Sequence, residues 1–489
     1  MYRKHNKKFD KWVMEKDKVV ASNLIWRLAE RFGAQFVSFA VSIILARLLL
    51  PEAYGTITMI TVFIAIMQVF TDSGLGNALI QKKDADDLDF STVFYCNISF
   101  CVVLYAVLFA VAPGIASFYN KPELVSLTRV LGISLIVSGV KNIQQAYVSR
   151  YLMFKVFFFS TLTGTIGAAV VGIVMAYMGF GAWALVAQQL FNTILDTIIL
   201  WSMVKWRPKK MFSFSRLRQL FSYGWKLLAS ALLDTVYNNV RQLIIGKKYT
   251  SADLAYYNKG EQFPSLIIVN INSSIDSVLF PVISKEQSDI KKVKSMTRIA
   301  LRTSSFVIWP IVMGMAACAD SIITILLSEK WIACVPYMQL FCITYGFWPI
   351  ITANLNAIKA LGRSDIFFKL EIAKKLVGTI SIAIALPFGP FAMAVAYFVT
   401  MPFNALINAF PNKNLMGYKY REQFLDILPS FLLAVFMALI VYQIGRFPFN
   451  IYLKFIAQVC VGVLVYICGA KLLKFESFEL LLRIIRKRD

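Results

Sequence analysis

The chain has 489 residues, 58% of them hydrophobic, with a mean hydropathy of +0.64 and a formal net charge of +24. These values exclude an ordinary soluble protein and read as a polytopic membrane protein with no stretch left over for a separate soluble domain. The positive charge alternates with apolar spans, the bias of cytoplasmic loops, and no nucleic-acid-binding module accompanies it.

The opening "MYRKHNKKFDKWVMEKDK" lacks the apolar core and small-residue cleavage site of a signal peptide, so residues 1–21 read as a cytoplasmic tail. Beyond it, apolar runs and their polar punctuation predict an all-α fold of about fourteen transmembrane helices. The count assumes about 1.5 Å of rise per residue across a roughly 30 Å hydrocarbon layer. The predicted helices fall near residues 22–49, 54–80, 90–118, 123–148, 154–178, 180–204 and 221–248. Those of the second half fall near 257–283, 296–327, 334–361, 364–387, 390–411, 424–445 and 450–473. Basic residues gather in alternate loops, from Lys82 and Lys83 through Arg150 and "KWRPKKMFSFSRLR" to Arg486, which predicts that both termini are cytoplasmic. Lys247 and Lys248 are the main exception.

An internal repeat follows. "LLLPEAYGTIT" after the first helix is echoed by "YTSADLAYYNK" after the seventh, with Glu52 falling on Asp253 at an offset of 201 residues. A six-helix copy has an even number of crossings, so both copies share one orientation. Parallel repeats of this kind are a transporter plan in which substrate sits between the halves near the midplane. The expected layout is a tail over 1–21, a six-helix lobe over 22–204, a basic cytoplasmic linker over 205–220 and a second six-helix lobe over 221–411. Two additional transmembrane helices over 412–474 and a basic tail over 475–489 complete it. In the linker, phenylalanines and leucines interleave with Arg216 and Arg218, the pattern of a segment lying in the membrane interface.

His5 is the sole histidine, which removes imidazole catalysis and histidine-based metal sites, and no phosphate-cradling loop is present. The seven cysteines show no metal-type or redox-type spacing; Cys318 and Cys334 are the one pair expected to come near each other. No catalytic group, cofactor or metal ion is therefore expected. What remains is charge inside helices. Arg27 and Arg31 project on nearly one face of helix one with Glu30 on the adjoining flank. Each such residue costs roughly 2.5–3.5 kcal/mol at a helix centre, so it persists for snorkelling, pairing or function. Arg31 lies about 13 Å into the span, at about 1.5 Å per residue, too deep for easy snorkelling. A Glu30–arginine pair that merely neutralises itself is the structural alternative.

Helix seven, at the corresponding place in the second repeat, carries Asp234, Asn238 and Arg241 on one face. Lys141 in helix four and Asp196 in helix six are further intramembrane charges. Gln68, Asp72, Asn270, Asn272, Asp276, Asn354 and Asn356 read first as hydrogen-bonding partners of neighbouring helices. Guanidinium forks match phosphate oxygens, so an anionic cargo is expected, with Arg27, Arg31, Arg241, Asn238 and Lys141 as candidate contacts. Glu30, Asp234 and Asp196 are the carboxylates that a proton or Na⁺ could neutralise to bias an alternating-access cycle.

"LARLLLPEAYG", "DSGLGNALIQKKD", "GFGAWALVAQQL" and "KWRPKK", in that order, resemble the polysaccharide-repeat flippases of the multidrug/oligosaccharidyl-lipid/polysaccharide exporter superfamily, in the colanic-acid and teichuronic-acid branch. The resemblance covers about residues 20–410. It implies two six-helix lobes in the bacterial inner membrane that move undecaprenyl-diphosphate-linked oligosaccharide to the outer leaflet, driven by H⁺ or Na⁺, with polysaccharide polymerase and chain-length proteins as partners. It also implies that Arg27, Arg31 and Arg241 touch the diphosphate. A small-cation antiporter of the same fold would need an excess of carboxylates, whereas helix one offers two arginines to one glutamate. A glycan polymerase or ligase would need a sizeable outer loop, and a non-transporting scaffold would leave the inward polar faces without a purpose.

Overall fold

The computed structural model of the protein describes residue 26, residues 29 and 30, residues 32–72 and residues 74–486. The chain divides into two compact units, Met1–Ala252 and Asp253–Asp489.

In the first unit, α1 (Phe32–Leu48) is followed by α2 (Pro51–Asp72), α3 (Leu75–Gln81), α4 (Asp87–Tyr119), α5 (Leu124–Arg150), α6 (Phe154–Tyr177), α7 (Ala182–Met203) and α8 (Phe214–Lys248). Pro51 opens α2, where its fixed φ and missing N–H cost nothing. The predicted helix 54–80 is two helices: Gly74 takes φ 69°, a left-handed conformation glycine adopts without penalty, and the chain restarts as α3. A capping box fixes the start of α4, with Asp86 accepting from the Asp89 N–H and Asp89 from the Asp86 N–H. That N–H bond, the first of several causes, holds the Asp86 carboxyl below the usual carboxylate range. α4 lies along α5, and α6 along α7. The α6–α7 approach needs small residues, since a Cβ on Gly172 would fall 2.8 Å from Gln188 Cβ.

The segment before α8 is tied to α4 rather than loosely laid out. The backbone N–H groups of Lys209 and Ser213 donate to Ser91 Oγ (3.0 Å) and Thr92 Oγ1 (3.1 Å), and Trp206 Nε1 donates to Asp87 Oδ1 (3.0 Å). Ser213 then caps α8, so the stretch 205–220 is already helical from Phe214. Nearby, Lys82 Nζ bonds both oxygens of the fully buried Asp89 at 2.7 Å.

The second unit contains α9 (Ser251–Lys285, entering it at Asp253), α10 (Ile290–Ala317), α11 (Ala319–Leu326), a 3₁₀ turn (Glu329–Cys334), α12 (Val335–Tyr345) and α13 (Trp348–Ala360). It continues with α14 (Ser364–Ala385), α15 (Pro390–Ala409), α16 (Asn412–Met416), α17 (Tyr420–Ile444), α18 (Ile451–Leu472) and α19 (Glu476–Arg486). The predicted helix 334–361 divides at Gly346, where the buried Trp309 of α10 needs the room: a Cβ there would lie 2.5 Å from the indole. Trp309 also packs edge-on against Phe347 and Phe431. Cys318 and Cys334 are free, buried thiols.

Among the described residues, eleven helices are long and apolar enough to cross a membrane, against the fourteen predicted. The difference has a physical source in α8 and α14. Asp234, Asn238, Asn239 and Arg241 dilute the first, and Lys369, Glu371, Lys374 and Lys375 the second. Helix one is described as an apolar segment only over Phe32–Leu48.

Candidate functional site

In the first unit the structure brings together two of the intramembrane charges found in the sequence. Lys141 of α5 reaches Asp196 of α7, with Nζ 3.3 Å from Oδ2. Side chains this far apart in sequence meet because α5 packs on α7, and Trp201 Nε1 locks the register by donating to the Val140 carbonyl at 3.2 Å. Asp196 is only 8% exposed. Gly164 of α6 makes space beside it: a Cβ at that position would fall 3.1 Å from Asp196 Cβ and 3.3 Å from Asn192 Oδ1. Asp196 Oδ1 is buried and accepts no hydrogen bond from any described residue. The carboxylate is therefore held by a single cation on one oxygen, and its other oxygen is buried without a described partner. A buried charge compensated on one side only is costly, and it is removed by protonation or by exchange of partner.

A second polar group surrounds the break between α2 and α3. Asn142, the next residue after Lys141, donates to Asp72 Oδ1 (3.0 Å) and to the Thr71 carbonyl (3.3 Å), and Gln68 Nε2 also donates to Asp72 Oδ1 (3.2 Å). The buried Asn97 of α4 donates to the Gly139 carbonyl (3.3 Å). These bonds staple α4 and the α2 terminus to α5, and Asp72 is the last residue of α2.

The helix-seven residues of the sequence reading lie on α8, which packs on α2, α3 and α4. Arg241 is buried at 7% exposure, while Asn238 and Asp234, one and two turns earlier, are exposed. Glu30 is half-buried. Arg27 and Arg31 lie outside the described residues. Next to them, Trp26 packs its ring on Phe158 and Phe159 of α6, with centroids 5.3 and 6.1 Å apart.

Sequence reasoning passed over the densest charge cluster. In the second unit, Asp426 of α17 is 5% exposed and takes Arg298 as a fork (Nε to Oδ2 2.7 Å, Nη2 to Oδ1 2.9 Å). Arg302 Nε and the Tyr418 hydroxyl add bonds of 2.7 Å each, and Arg302 also holds Glu476 at the start of α19. The signal was present: Arg298 and Arg302 are four residues apart, hence on one helix face, and Asp426 interrupts an apolar run.

Known proteins share this architecture, and some are similar in sequence along most of the chain. The chain is 26% identical over 413 residues to the teichuronic acid biosynthesis protein TuaB of Bacillus subtilis (strain 168), covering 82% of this chain and 84% of that one. It is 21% identical to the succinoglycan biosynthesis transport protein ExoT of Rhizobium meliloti (strain 1021), over 96% of both chains. The fold is similar to that of the lipid II flippase MurJ in an inward closed conformation, with a TM-score of 0.75 at 15% identity, covering 92% of this chain and 98% of that one. An inward-facing multidrug resistance transporter of the MATE family gives a TM-score of 0.62 at 14% identity, covering 80% and 98%. The protein is thus a multi-pass membrane protein that shares the fold of these two structures. The family model described as polysaccharide biosynthesis protein matches residues 44–336, and the chain belongs to that family.

Proposed function

We propose that the protein carries undecaprenyl-diphosphate-linked oligosaccharide repeat units across the bacterial inner membrane for surface polysaccharide synthesis, by ion-coupled alternating access. The observation that carries the coupling is the half-compensated Lys141–Asp196 pair between α5 and α7. When a proton or Na⁺ neutralises Asp196, Lys141 is released to a cargo phosphate; when the cargo leaves, Lys141 returns and expels the ion. The two states differ in which anion the lysine serves, and that differential interaction is what lets an ion gradient bias a conformational equilibrium.

In this reading Arg241, with Arg27 and Arg31, contacts the diphosphate through guanidinium forks. Asn238 supports that contact, while Asp234 and Glu30 are secondary ion-coupling groups. The six-helix lobes 22–204 and 221–411 supply the two halves of the cycle, with both termini in the cytoplasm. A polysaccharide polymerase and chain-length proteins receive the product.

The test is made in the producing cell. Depletion of the protein leaves lipid-linked repeat units at the inner leaflet and removes surface polysaccharide. Arg31→Ala and Arg241→Ala are expected to insert in the membrane at normal levels yet fail to restore export; full restoration by both refutes their assignment.

A further inference from the structure

The break between α2 and α3 opens a polar cavity of about 220 Å³ within the first unit, bounded by α2, α3, α4 and α5. Its polar lining is Asp72, Asn77, Asn97, Asn142, Gln145 and Ser149, and no lysine or arginine is among the lining residues. Leu75 and Ile143 give it an apolar side. Asn97 is buried at the floor, and Asp72 and Asn77 are exposed at the mouth. Asn97 and Asn142 spend donors on the protein itself, as described above. Asn77 and Gln145 make no side-chain hydrogen bond to any described residue, so their amides are available to a guest.

This composition selects a class of ligand. A phosphate finds no cation here and meets the Asp72 carboxylate, so the anionic part of a cargo is repelled. A lipid tail would have to desolvate four amides and a carboxylate. A neutral polyol suits every group present. Its hydroxyls donate to Asp72 and the amide carbonyls and accept from the amide N–H groups, and its C–H face lies on Leu75 and Ile143. At roughly 30 Å³ per water the cavity holds about seven waters' worth of volume, the size of one sugar ring rather than a whole repeat unit. Lys141 precedes Asn142 in α5, so the chain sets a phosphate-competent cation next to a hydroxyl-reading amide.

We infer that this cavity is a carbohydrate subsite that holds one uncharged sugar ring of the lipid-linked cargo, separately from the groups that hold its diphosphate. The assignment rests on the flippase reading above and adds a glycan-reading element to it. A site built to hydrogen-bond a hydroxyl discriminates strongly against a ligand that lacks it.

The experiment uses the full chain in lipid nanodiscs and two probes: bare undecaprenyl diphosphate, and the lipid-linked oligosaccharide purified from cells depleted of the protein. Wild type is expected to bind the glycosylated lipid about tenfold more tightly than the bare one. Asn77→Ala with Gln145→Ala, which breaks no bond within the described protein, is expected to erase that ratio, to leave affinity for bare undecaprenyl diphosphate unchanged and to melt at the wild-type temperature. The subsite is overturned if the double variant keeps the ratio, if both affinities fall together, or if wild type binds the two lipids equally. If wild type binds neither lipid, or if depleted cells accumulate no such lipid, it is the flippase reading itself that fails.

Discussion

Asp196 of the first unit and Asp426 of the second are buried to nearly the same degree, at 8% and 5% exposure, and they are compensated in opposite ways. Asp426 receives five close contacts from two arginines and a tyrosine, between 2.6 and 2.9 Å, and both its oxygens are served. Asp196 receives one lysine at 3.3 Å and keeps an oxygen that no described residue serves. A carboxylate satisfied on all sides has no reason to change state, because every alternative loses several charge-assisted bonds. In the proposed cycle, one that hangs on a single flexible, strongly hydrated ammonium trades that partner for a proton or a sodium ion. The second unit's cluster is a clamp between α10, α17 and α19; the first unit's pair is the switch of the proposed cycle. Burial and residue type alone do not distinguish them. Coordination does.

The contrast yields ordered expectations. The largest effect belongs to the clamp: Asp426→Ala leaves two guanidinium groups and a hydroxyl without their common acceptor, a loss of about 3–5 kcal/mol for a well-buried pair, less here because Arg298 and Arg302 are partly exposed. A thermal melt of the purified protein should fall by a few degrees, at about 2 °C per kcal/mol for a unit of this size, and an unchanged melt would make the cluster ornamental. Next comes the switch. Asp196→Asn should leave the melt nearly in place while cutting export by more than about tenfold, the range of a lost coupling of 1–3 kcal/mol. If Asp196→Asn melts as badly as Asp426→Ala and transports as well as wild type, the roles are reversed. A smaller effect is expected from Gly164→Ala, whose methyl group must displace Asp196 or Asn192 by a few tenths of an ångström. Export should drop about threefold at unchanged protein level, a shift of under ~1 kcal/mol. The smallest comes from Lys209→Ala, which removes an exposed contact with Asp87 worth at most about 1 kcal/mol. The backbone bonds of Lys209 and Ser213 hold the connector without it, so melt and export should both stay near wild type.

Much of the architecture was legible in the sequence because hydrocarbon forces apolar runs of spanning length, and the eleven apolar helices follow from that constraint. The breaks were harder to see. Asp72 before "SGLG" signalled one, since an acidic residue and two glycines cannot continue a helix comfortably. The interruption at Gly346 falls just before Pro349, whose missing N–H opens α13, and the indole of Trp309 from another helix packs against the glycine. Contacts between distant helices also govern the charges. Lys141 and Asp196 were visible as intramembrane charges, but their pairing depends on how α5 meets α7 across 55 residues. Asp426 went unread because its two arginines lie more than 120 residues earlier, in the first turns of the predicted helix 296–327. One-dimensional patterns identify which residues pay to be in the membrane, and only packing says who compensates them.

The most direct measurement is leaflet transfer of a fluorescent lipid-linked oligosaccharide in proteoliposomes carrying an imposed proton or sodium gradient. Wild type should move the lipid between leaflets and respond to one of the two gradients, while Asp196→Asn, folded and inserted, should transfer it no faster than protein-free vesicles. Transfer by Asp196→Asn at the wild-type rate and with the wild-type gradient response, or no transfer by wild type at all, would contradict the proposed mechanism.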